Sequence, residues 1–136
     1  MEDETLIIAS LQQGVTAAVA ASSVPTLPVA YIDVNFDVPS DGKWVEIVWI
    51  PNNRQGDFWG DEKNYQGLFR LVLHWPKDGG GIYAPLETLA SIAGWFAKGR
   101  MVDGVQIYEQ PDFTGSIPQD DETLYGCSIR YRSYRG

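Results

Sequence analysis

The chain has 136 residues, 44% of them hydrophobic, and carries a net charge of −8. That length and apolar content predict a single domain over residues 1–136 with its own core, and the acidic balance argues against general nucleic-acid affinity, which needs a basic field. No apolar run reaches the roughly 18 residues of a membrane-spanning helix, the start Met-Glu-Asp-Glu lacks the basic and apolar blocks of a secretory signal, and the lone Cys127 excludes an intrachain disulfide.

In chain order, Glu4–Ala21 is predicted to be a helix. Ile7, Ile8, Leu11, Val15, Ala18 and Val19 recur at helical spacing, and acidic residues sit at its start. Gly14 is a weak point within it, costing about 1 kcal/mol against Ala if exposed. Ser22-Ser23-Val24-Pro25 ends the helix. Val29–Phe36 reads as a short extended segment, and Pro39-Ser40-Asp41-Gly42 as a turn. Lys43–Ile50 is a strand with apolar residues on both faces, which suits a covered position in a sheet.

Pro51–Asn64 has no periodicity and is predicted to be a long loop joining two antiparallel strands. Phe58 and Trp59 stand at its middle, and either cap the sheet or anchor a contact with another molecule. Tyr65–Pro76 is the clearest strand. Phe69, Leu71, Leu73 and Trp75 alternate with Leu68, Arg70, Val72 and His74, and Pro76 should end it. Lys77–Gly81 reads as a flexible turn, since it lacks both the Gly-Lys-Ser/Thr ending and the spacing of a phosphate cradle.

Ile82–Lys98 is the second predicted helix, with Pro85 in its first turn and Gly99 after its end. Ile92 and Trp95 fall off its main stripe, toward a second surface. Asp103-Gly104 is a tight-turn pair leading into a strand around Val105 and Ile107. Residues 110–122 read as a second long, acidic loop. Leu124–Tyr134 is the last strand, with Tyr125, Cys127, Ile129 and Tyr131 facing inward. The order α-β-β-β-α-β-β predicts an α+β fold, an antiparallel sheet of four to five strands with two packed helices.

No constellation points to catalysis, to a cofactor or to a metal. His74 is the only histidine, which excludes multi-histidine metal sites, and no nucleophile motif surrounds it. It reads as a half-exposed strand residue. Asp57, Asp61 and Glu62, and Asp112, Asp120, Asp121 and Glu122, lack the spacing of a calcium loop and read as solvated charge. Arg130, Arg132 and Arg135 make the last strand basic in an acidic chain. They either decorate an exposed face or meet an acidic surface on another molecule.

Three stretches carry a family resemblance: Leu27-Pro28-Val29-Ala30-Tyr31, Asp41-Gly42-Lys43-Trp44-Val45, and Tyr65-Gln66-Gly67 running to Trp75-Pro76, followed by a Gly-rich turn and a helix. In these the chain resembles the tail terminator, or tail completion, proteins of phages with long non-contractile tails. The resemblance implies a structural virion subunit, not an enzyme. It implies a ring, usually hexameric, at the head-proximal end of the tail, assembled in the host cytoplasm. Such a ring would cap the tail tube, end its polymerisation and join the head-side connector, with DNA passing through the lumen and no membrane involved. Arg54, Phe58 and Trp59 are the expected loop contacts, and Arg130, Arg132 and Arg135 the expected subunit edge. The alternatives are another head–tail connector or tube-like ring protein, or a monomeric module that binds a ligand or peptide.

Overall fold

The structure, a computed structural model, describes residues 2–51, 63–77 and 81–135. Its centre is a pair of 14-residue strands, β3 (Lys63–Pro76) and β7 (Glu122–Arg135), antiparallel and in register from Lys63↔Arg135 to Pro76↔Glu122. On one face of this pair Phe69, Leu71, Leu73 and Trp75 meet Tyr125, Cys127, Ile129 and Tyr131, and all eight are buried. Their period of two puts the apolar set on one side, so a one-residue slip would turn it to the other.

Two helices cover that face. α1 (Glu2–Ala20) buries Ile7, Leu11, Val15, Ala18 and Val19, the stripe expected from its spacing. α2 (Tyr83–Gly94) buries Pro85, Leu89, Ile92 and Ala93. It is shorter than the predicted Ile82–Lys98. At its end Trp95 and Phe96 bond back only three residues, to Ile92 and Ala93, which tightens the last turn and carries Phe96 into the core. Ile92 does not face a second surface: it is fully buried in the same cluster. Gly14 is not an exposed weak point either. A Cβ there would stand 3.2 Å from Phe96 and 3.3 Å from Trp95, so the glycine lets α1 approach these rings closely.

The sheet is larger than the predicted four to five strands, and it is mixed. Its order is β1-β2-β3-β7-β5-β4, with β6 also on β7, seven strands among the described residues. β1 (Val29–Ala30) runs parallel to β2 (Trp44–Pro51). The expected extended segment Val29–Phe36 stops after two residues, because Val34 N–H turns back to the Tyr31 carbonyl and Asp33 has a positive φ. β4 (Met101–Val102) and β5 (Val105–Ile107) form a hairpin on Asp103-Gly104, both at positive φ as a primed two-residue turn needs.

Residues 110–122 are not a loop throughout. Asp112–Pro118 forms β6, antiparallel to β7. It sits at an edge with most of its residues exposed, so it has no inward-outward alternation to read, and Pro111, Gly115 and Pro118 resemble loop punctuation. A bulge between Phe113 and Gly115 uses glycine's positive φ of 114°. The predicted loop 51–64 and the Gly-rich turn fall mainly on residues 52–62 and 78–80, outside the described residues.

Candidate interaction surface

The face of the sheet opposite the helices carries alternate residues of β2, β3 and β7. Three arginines lie on it. Arg70 pairs with Ser128, and Leu68 with Arg130, so Arg70 and Arg130 are diagonal neighbours on adjacent strands. Arg132 follows on the same face of β7. Arg130 Nε lies 3.3 Å from a Glu109 carboxylate oxygen. Arg132 Nε donates to the side-chain carbonyl of Gln106 at 2.9 Å, and its guanidinium lies 5.3 Å from the centre of the Tyr108 ring. Arg70 has no ion pair among the described residues, and its Nε is buried without a hydrogen-bond partner.

A depression of about 330 Å³ lies beside Arg130, with Ile50, Pro51, Gln66, Leu68 and Tyr108 also contributing to its lining. Of the residues expected from sequence, the structure brings Arg130 and Arg132 together here. Arg135 lies at the end of the same strand, opposite Lys63. Arg54, Phe58 and Trp59 lie outside the described residues. Arg70 and Tyr108 join Arg130 and Arg132 unforeseen. The signal for Arg70 was an arginine in mid-strand on the non-core face, and it gains meaning only once the register places Arg130 beside it.

The other end of the same face is acidic. The β6–β7 connection is a tight turn closed by Gln119 N–H donating to the Glu122 carbonyl at 2.7 Å. Its Asp120 and Asp121 are exposed. Behind the turn His74 is buried, contrary to its reading as half-exposed. Its Nδ1 lies 2.7 Å from Glu122, its Nε2 lies 3.0 Å from Glu46, and its ring stacks on Trp44. This cluster ties β2, β3 and β7 together. Among the described residues no three histidine, cysteine or acidic side chains converge as metal ligands would.

A second concavity, about 430 Å³, lies on the helix side between α2 and β6. Leu86, Leu89, Ala93, Phe113 and Cys127 contribute to its apolar lining. Burial pushes the Cys127 thiol up to about 11, with the Asp112 charge adding to the effect. Burial also raises the Tyr131 hydroxyl, opposed by the hydrogen bond from Trp49 and assisted by Glu4. Both groups are held in their neutral forms, which suits packing and gives no activated nucleophile.

Against known proteins, a family model described as phage tail terminator protein matches residues 6–131. No functionally curated protein matches the sequence significantly. One solved chain superimposes with a TM-score of 0.77 at 21% identity, over 96% of this chain and 94% of that one. A chain from the virion of a native gene transfer agent particle superimposes with a TM-score of 0.63 at 14% identity, over 92% of this chain and 95% of that one. At these identities the two likenesses speak for the fold.

Proposed function

The chain belongs to the phage tail terminator family, whose members are structural proteins of the virion, and from that premise we propose that it forms a ring capping the tail tube. In this reading copies close head to tail into a ring, hexameric as is usual in the family. The ring ends growth of the tube and then offers its other side to the head connector. The family match over residues 6–131 carries the reading. A particle component with the same fold, the gene transfer agent chain, supports it.

The physical features are compatible. A closed ring of identical copies needs two unlike patches on each copy, and the outer sheet face offers a basic end and an acidic end. Arg130, Arg132 and Arg135, with Arg54, Phe58 and Trp59, remain the proposed contacts between subunits and with axial neighbours. With a net charge of −8 the ring would let DNA pass without gripping it along its length.

The test is tube growth. Purified tail-tube protein is polymerised with and without this chain, and tube lengths and ends are imaged. Shorter tubes, each closed at one end by a ring, are expected. Incorporation along the tube wall would instead favour a tube-like role, and no binding to tube ends would end the terminator reading.

A further inference from the structure

We propose that the basic part of the outer sheet face, which carries Arg70, Arg130 and Arg132 and the depression beside Arg130, receives the acidic turn Asp120-Asp121 of a second copy of the chain. This deepens the ring reading above and rests on it. Each side of the contact is incomplete within one molecule. Three arginines lie on one face of the sheet, and Glu109 is the one carboxylate paired with them among the described residues. Arg70 has no ion pair there, and its buried Nε has no hydrogen-bond partner. A guanidinium left unpaired in this way favours an anionic partner.

The turn is the matching half. Asp120 and Asp121 project from a tight hairpin end and have no ion pair among the described residues. One copy cannot join its own halves. Asp121 and Arg130 are nine residues apart on or beside one extended strand, roughly 30 Å at about 3.3 Å per residue, several times the screening length of about 8 Å in physiological salt. The shapes also correspond, since the acidic turn is convex and narrow while the basic side holds a hollow beside Arg130. The contact joins two different patches, so it repeats from copy to copy and can close a ring. Duplex DNA is the other polyanion the arginines could meet. The net charge of −8 works against it, whereas a second copy always brings the acidic turn.

The experiment uses the full chain and two charge-reversed variants, Arg70→Glu/Arg132→Glu and Asp120→Lys/Asp121→Lys. Association is followed by sedimentation and light scattering at low and high salt, alone and on tail-tube ends. The second variant changes only exposed turn residues, so it reports even if the half-buried Arg70 replacement disturbs folding. Each variant alone should raise the dissociation constant for self-association by about tenfold or more, and high salt should weaken the parent chain likewise. Mixed in equal amounts, the two variants should regain association, because the intact turn of the first meets the intact patch of the second and the introduced glutamates and lysines are again of opposite charge. Rings that form equally well from either variant overturn this contact and leave the ring reading standing. Arginine reversal that abolishes binding of a DNA duplex but leaves self-association unchanged overturns it in favour of DNA. A parent chain that never associates, in solution or on tubes, overturns the ring reading and this contact with it.

Discussion

The indole of Trp44 lies flat on the imidazole of His74, with ring centres 3.7 Å apart and planes 7° from parallel. Phe36 covers the same indole at 4.8 Å, while Glu46 and Glu122 hold the two imidazole nitrogens. Two carboxylate acceptors need two donors, so the ring serves both when it carries a proton on each nitrogen. Replacing His74 with Ala would remove the stack and leave two carboxylates facing a void. The expected loss is about 2 kcal/mol of unfolding free energy, read from urea denaturation. Glu46→Gln, which keeps the stack and a polar partner, should cost less.

Gly14 faces opposing demands. Alanine there would improve helix propensity by about 1 kcal/mol, but its Cβ would press on Phe96, Trp95 and Val102 at 3.2–3.4 Å. Valine adds bulk to the same contact without the propensity gain. Gly14→Val should therefore cost about 2–3 kcal/mol, while Gly14→Ala should stay within about 1 kcal/mol of the parent. Thermal unfolding of both variants checks the ordering.

Cys127 supplies a pH dependence. Its folded-state value of about 11 stands above the ordinary 9.0, so the folded protein holds this proton more tightly than the unfolded chain does. The resulting stability is fully present below pH 9 and is lost as pH rises from 9 through about 11. The size is about 2–3 kcal/mol, and Tyr131, shifted the same way, adds to it at still higher pH. Cys127→Ala should show a shallower loss of urea midpoint over this window than the parent. In the parent at neutral pH, thiol reagents should react slowly until the protein unfolds.

Trp49 Nε1 donates to the hydroxyl of the buried Tyr131 across 2.8 Å. Trp49→Phe alone leaves that hydroxyl without its donor, and Tyr131→Phe alone leaves the indole N–H without its acceptor. Each should cost about 1 kcal/mol, and the double variant should cost less than the two together. A double-mutant cycle by chemical denaturation measures the difference.

The period-two apolar runs made β2, β3 and β7 legible from sequence, as did the helical stripes of α1 and α2, because each buries one face against the core. β6 was not legible. Asp112–Pro118 is an edge strand with exposed residues and a bulge, and what makes it a strand is the edge of β7, which it meets through a tight turn. β1 was legible as an extended segment, but its parallel direction and its end after Val29 and Ala30 were not, since two residues have no period to read. At the candidate surface the charges themselves were plain in the sequence. Their grouping was not, since Arg70 and Arg130 become neighbours only through the β3–β7 register. His74 was misjudged because its burial depends on Trp44, Glu46 and Glu122, which come from other strands.

The position of β7 also sets the timing of folding. It follows every other element in the chain, yet it pairs with β3, β5 and β6. While the chain is being synthesised, β3 therefore waits with one whole edge unpaired, and β5 and β6 have no sheet to join. The β3–β7 pairing, distant in sequence, forms slowly, because a large loop must close before it contributes. A chain interrupted before Glu122 would present neither the full set of outer-face arginines nor the closed acidic turn. β7 is thus where the sheet closes as well as its middle, and until it arrives that edge of β3 stays open to other strands.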